Sequence, residues 1–122
     1  IGESYLLVRS YRMGDRMKKL TDEDIQNRLL KLQDWRLEDQ KWMMKKYRFK
    51  QFLTGISFVK EIADLSEAVN HHPFISIDYK VVTLKLSSWQ AQGITELDFD
   101  LAAKYDQIYS KTTGTKKGGD LS

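Results

Sequence analysis

QFLTGISFVKEIADLSEAVNHHPFISIDYKVVTLKL, residues 51–86, holds both periodicities that decide the fold. From Gln51 to about Asn70, the apolar positions Phe52, Ile56, Val59, Ile62, Ala63 and Val69 recur at helical spacing, with Lys60, Glu61 and Asp64 between them. One apolar stripe with charges on the other side predicts an amphipathic helix packed on a core. Pro73 disfavours helical backbone at His72, and the pattern changes there. Ile75, Ile77 and Tyr79 alternate with Ser76 and Asp78, then Val82, Leu84 and Leu86 alternate with Thr83, Lys85 and Ser87. A period of two over two consecutive runs predicts a β-hairpin with one buried face.

The same reading extends to both sides. Upstream, Thr21 followed by Asp22, Glu23 and Asp24 is a helix start, and Ile25, Leu29 and Leu32 predict a helix over about Asp22 to Gln33. Trp35-Arg36-Leu37 and Trp42 to Lys50, separated by the polar Glu38-Asp39-Gln40-Lys41, predict a first hairpin with Met43, Tyr47 and Phe49 on one side. Downstream, Thr95-Glu96-Leu97-Asp98 has the spacing of a capping box, and Leu101, Ala102, Tyr105, Ile108 and Tyr109 continue it as a helix. The order α-β-β-α-β-β-α predicts an α+β fold: a four-stranded, mainly antiparallel sheet with three helices on one face.

A chain of 122 residues, 41% hydrophobic and 30% charged, suits one folded domain. No apolar run approaches the roughly 20 residues of a membrane span, and the N-terminus lacks an apolar signal region. There is no cysteine, so thiol nucleophiles and thiolate metal sites are excluded, and a reducing compartment such as the cytoplasm is expected. The net charge is +3. Residues 1–16 contribute +1 through Glu3, Arg9, Arg12, Asp15 and Arg16, and residues 111–122 contribute +2 through Lys111, Lys116, Lys117 and Asp120, leaving residues 17–110 neutral. A neutral body with basic ends lacks the concentrated phosphate footprint of a nucleic-acid binder. Residues 1–16 lack a clear period and precede MKKLTDED, which reads like a translation start. They are expected to be a leader or an expression remnant outside the fold, 17–110 the domain, and 111–122 a flexible basic, glycine-rich tail.

The two histidines of the chain, His71 and His72, are neighbours at the junction of helix and strand, just before the sole proline, Pro73. A pair at the rim of a sheet could give a polar ligand one donor and one acceptor, or two acids. Two ordinary histidines in a connection explain the pattern equally well. Adjacent histidines do not share a helix face as an i, i+4 pair does, so a metal site is not expected. Glu67, four residues before His71, would lie on its face and orient its ring if the helix persisted that far. A solvated glutamate is the commoner case. Trp89 could stack on a heteroaromatic ligand or simply pack, and Asp98 reads first as a structural cap. Trp35, Trp42, Phe49, Phe52 and Phe58 read as core or interface aromatics.

Glu67-Ala-Val-Asn-His71-His72-Pro73, followed after five residues by Tyr79, after nine more by Trp89 and after eight more by Asp98, resembles the signature of the pterin-4a-carbinolamine dehydratases. The resemblance spans about residues 20–110, and its fold has the element order deduced above. It implies a lyase that dehydrates 4a-hydroxytetrahydropterin to quinonoid dihydropterin, supports tetrahydropterin recycling, and needs neither metal nor organic cofactor. His71 would be the acid/base group, His72 the group that holds and polarises the pterin, and Glu67 an orienting carboxylate. Pro73 and Trp89 would shape the pocket, and Tyr79 and Asp98 would complete the motif. Many members carry a third histidine where this sequence has Trp89, and indole delivers no proton near neutral pH. A reduced rate or an altered preference between the 4a epimers is therefore expected. The resemblance also implies a homodimer or homotetramer. Its alternative reading is a non-catalytic dimerisation cofactor, a binding protein of the same fold.

Overall fold

The computed structural model describes residues 17–114. Its elements are α1 (Asp22–Leu29), β1 (Arg36–Glu38), β2 (Trp42–Arg48), α2 (Phe52–Val69), β3 (Phe74–Asp78), β4 (Val81–Leu86) and α3 (Glu96–Thr113). This is the expected α-β-β-α-β-β-α order. The sheet runs β1-β2-β4-β3 with every neighbouring pair antiparallel. Register explains the alternation: Met43 pairs with Leu86, Tyr47 with Val82, and Ile75 with Leu84, so these residues share one face. Met43, Tyr47, Val82, Leu84 and Leu86 are all fully buried there. They form one core with Ile25, with Phe58, Ile62 and Leu65 of α2, and with Leu101, Ala102 and Tyr105 of α3.

A polar strut reinforces this packing. Asp106 of α3 accepts hydrogen bonds from the Tyr47 hydroxyl (2.5 Å), Lys45 Nζ (2.8 Å) and Trp35 Nε1 (3.2 Å). One carboxylate therefore ties α3 to β2 and to the segment before β1. Burial, reinforced by the Asp106 charge, holds the Tyr47 hydroxyl well above its ordinary pKa of 10.0.

Several boundaries differ from expectation for local reasons. The first helix ends at Leu29, not Gln33. Of its apolar residues only Ile25 is fully buried, Leu30 is 84% exposed, and Lys31 and Leu32 bond three residues back before Asp34 turns left-handed at φ 66°. Leu29 and Leu32 pack on the core only in part and Leu30 not at all, which is too little burial to sustain further turns. At the other end α3 continues to Thr113 and is capped by left-handed Gly114. Residues 111–113 are thus helical and not tail, with Lys111 paired to Glu61 at 2.7 Å and Thr113 Oγ1 donating to the Tyr109 carbonyl at 2.8 Å. The expected leader, 1–16, and residues 115–122 of the expected tail lie outside the described residues. No described helix is long and apolar enough to cross a membrane.

Candidate active site

Four element ends converge on one cleft: the C-terminus of α2, the start of β3, the segment after β4 and the N-terminus of α3. It has a volume of about 900 Å³, and His71, His72, Pro73, Phe74, Trp89 and Leu97 are among the residues lining it. The histidines arrive there because α2 stops abruptly. Asn70 adopts the left-handed conformation (φ 55°, ψ 47°) and the His71 N–H bonds back to the Ser66 carbonyl at 3.1 Å. This is the C-terminal cap geometry that asparagine tolerates. Pro73 then prevents renewed helix.

The cap overturns one expectation. Because Asn70 breaks the helical register, His71 does not meet Glu67 four residues earlier. Glu67 Oε2 instead contacts His72 Nε2 at 2.6 Å, in a pair whose side chains are 52% and 78% exposed for the histidine and the glutamate. His71 turns inward, its Nε2 lying 2.8 Å from Oδ1 of Asp98.

Asp98 is more than a helix cap. It is fully buried, and its Oδ2 accepts the Thr95 backbone N–H at 2.9 Å, as the capping reading requires, and the Ser88 hydroxyl at 2.8 Å. Ser88 Oγ also lies 2.8 Å from Thr95 Oγ1. With donors on Oδ2, Asp98 is held as an acceptor, so the His71 contact is read as Nε2–H donating to the carboxylate. That assignment leaves Nδ1 as the nitrogen able to take or give a proton. Sequence reasoning missed Ser88 and Thr95 as supports of a histidine. The Thr95-x-x-Asp98 spacing was a signal, but it announces only the local cap and nothing about a contact 27 residues away.

Trp89 opens a short closed loop, residues 89–92. Ser88 and Gly93 exchange backbone hydrogen bonds at 2.9 and 3.3 Å, and Gln92 N–H bonds to the Trp89 carbonyl at 3.1 Å. The indole stands 79% exposed at the cleft. Phe74 forms another aromatic wall and stacks on Trp42 with ring centroids 4.8 Å apart. Tyr79 is elsewhere: it occupies the β3–β4 turn at φ 55° and stacks on Phe52 at 6.3 Å. Among the described residues no group of three or more His, Asp or Glu side chains could hold a metal ion.

The family model for pterin 4 alpha carbinolamine dehydratase matches residues 18–108. The chain belongs to this dehydratase family. Among the similar proteins is one from Picosynechococcus sp., provisionally named a pterin-4-alpha-carbinolamine dehydratase. It is 40% identical over 90 residues, covering 74% of this chain and 97% of that one. A relative in Sulfolobus acidocaldarius, under the same provisional name, is 36% identical over 90 residues, covering 74% and 98%. Among solved structures, a transcriptional coactivator/pterin dehydratase from Brucella melitensis superposes with a TM-score of 0.72 at 28% identity, covering 75% of this chain and 99% of that one. A pterin dehydratase-like protein described as a RuBisCO assembly factor in the alpha-carboxysome shares the fold, with a TM-score of 0.56 at 22% identity, over 69% and 94% of the two chains.

Proposed function

We propose that this member of the dehydratase family is an active enzyme that converts a 4a-hydroxytetrahydropterin to the quinonoid dihydropterin and water. The observation that carries the reading is the buried Asp98 carboxylate on His71 Nε2 at the cleft. Hydroxide leaves poorly, so the departing oxygen on C4a must be protonated. His71, protonated on Nδ1, gives that proton as the C4a–O bond breaks and the N5 lone pair forms the C4a–N5 double bond. The now neutral Nδ1 removes the N5 proton, which restores the imidazolium and leaves water and quinonoid product. Asp98 fixes the tautomer and orientation of the ring through Nε2. His72, oriented by Glu67, holds the polar edge of the pterin, while Pro73 and the Trp89 indole bound the pocket. No metal or organic cofactor takes part in this scheme.

Trp89 supplies a stacking face without an acid proton, so catalysis rests on His71, with a lowered rate or a bias between 4a epimers. Trp89→His should change the ratio of the two epimer rates; unchanged rates for both epimers would refute this role.

Two copies of the chain are expected to associate. Among the described residues the outer edge of β3 is unpaired in the sheet, and Ile77, Tyr79, Phe52 and Leu53 near it are 43%, 69%, 42% and 70% exposed, which suits a homodimer or a homotetramer built from it. Light scattering of the purified protein measures this directly. The cysteine-free chain suits the cytoplasm.

The decisive assay follows the ultraviolet decay of enzymatically generated 4a-hydroxytetrahydropterin with wild type and with His71→Ala. Acceleration that disappears in the variant supports the enzyme. A folded wild type that gives no acceleration would overturn it in favour of a non-catalytic binding role on the same fold.

A further inference from the structure

The histidine cleft does not end at Trp89. A second hollow of about 640 Å³ begins on this residue and shares Ser87 with the first; Lys19, Lys41, Trp42 and Ser88 also line it. It therefore combines two cations with two indoles beside a candidate heteroaromatic site. Neither Lys19 nor Lys41 has a carboxylate partner among the described residues.

Lys19 is held in place. Its backbone bridges Thr95, and the following Leu20 N–H bonds to the Ile94 carbonyl at 2.9 Å. Its methylene stem lies across Gly93, so close that a Cβ there would stand 2.9 Å from Lys19 Cε and 3.0 Å from Cγ. The absent side chain at Gly93 makes a seat for the lysine stem, which carries the ammonium toward the hollow. Lys41 approaches from the β1–β2 turn, whose Asp39 and Gln40 both adopt positive φ (54° and 59°) and whose Lys41 N–H bonds to the Glu38 carbonyl at 3.1 Å.

We infer that this second hollow is a subsite for a negatively charged substituent on the ligand, so that the preferred substrate is a pterin carrying a phosphate or carboxylate tail. The inference rests on the pterin reading of the first cleft. The bicyclic ring lies beside His71 and His72, the tail passes Trp89, and the anion meets Lys19 and Lys41. Indole walls exclude part of the competing water and strengthen the charge pairing. With both lysines on the surface the gain remains modest and salt-sensitive.

The test measures equilibrium binding of intrinsically fluorescent oxidised pterins that differ only in the tail: a neutral hydroxyalkyl chain, its phosphate ester, and a carboxyalkyl chain of equal length. The expected result at low salt is an affinity about tenfold higher for the phosphate ester than for the neutral pterin, declining as salt is added. The Lys19→Gln/Lys41→Gln double variant should bring that ratio close to one, whereas Lys60→Gln, remote on α2 and removing one charge, should preserve it. Preference for phosphate alone and preference for both anions each support the subsite and separate its two ligand chemistries. Equal affinities in the wild type, or a preference that survives in the double variant, overturn it. Dehydration assays on tetrahydro forms keep the two proposals apart. Turnover with the same KM for neutral and charged tails removes the subsite and leaves the dehydratase, whereas tail preference in binding without turnover does the reverse. Failure to bind any pterin removes both.

Discussion

His71 and His72 are adjacent in the chain and alike in chemistry, yet the fold treats them oppositely. The His71 side chain is 12% exposed and bound to a carboxylate that is itself fully buried, whereas His72 and its glutamate stand mostly in solvent. A single left-handed residue, Asn70, sends one ring inward and leaves the other at the rim. What separates the two rings is the restraint on Nε2. A buried carboxylate with its own donors restrains a ring; a solvated one on a mobile side chain does so weakly.

Removing each ring in turn should separate the two roles. His71→Ala should lower kcat by about a hundred- to ten-thousand-fold, the range of general acid–base catalysis, while His72→Ala should act mainly on KM, by about tenfold, consistent with loss of one hydrogen bond to the ligand. Equal kcat losses in steady-state kinetics would erase the distinction between the two roles.

The carboxylates offer the next comparison. Asp98→Asn keeps the shape but sets an amide among groups that all donate, so denaturant unfolding should show a loss of about 2–3 kcal/mol along with a fall in kcat. Glu67→Gln should alter stability by no more than about 0.5 kcal/mol.

A smaller effect separates the site from the rest of the core. Asp106 also gathers donors, but they hold the sheet to α3 and do not reach the cleft. Because Tyr47 has its pKa raised by burial and then by Asp106, the native state keeps a proton that the unfolded chain releases. Its contribution to stability is complete below the ordinary value of 10.0 and is lost as pH rises toward the higher folded value. Unfolding curves across roughly pH 9 to 11 should therefore flatten in Tyr47→Phe relative to wild type. An unchanged slope would show that Tyr47 does not govern alkaline unfolding.

The element order was legible in the sequence because burial of one face imposes a period, as Val82 to Leu86 show directly. The buried face itself was less legible: in α2 it runs through Gly55, Phe58, Ile62, Leu65 and Ser66, so of the expected stripe only Ile62 is fully buried, and none of Ile75, Ile77 and Tyr79 in and after β3 is completely buried. Ends were less legible, since they depend on contacts made by the last turn: Leu30 is exposed and Leu32 only partly buried, whereas Lys111 pairs with Glu61 and Thr113 is buried. The histidines, Pro73 and Trp89 stood out through the motif, and the fold gathers all four at one cleft. The partner of each histidine did not stand out. Spacing pointed Glu67 at His71, but a cap residue intervened, and the contact to Asp98 joins segments that only the completed sheet and α3 bring together.

The Ser88–Gly93 closure has a consequence for how such a protein can change over time. Its backbone bonds secure the loop without help from the exposed Trp89 side chain, so residue 89 can be exchanged with little disturbance below. Proton donors, flat stacking surfaces or smaller groups can be tried there one substitution at a time, while Asp98 and His71 keep their places. The loop makes the rim of the cleft an adjustable feature mounted on the fixed His71–Asp98 pair.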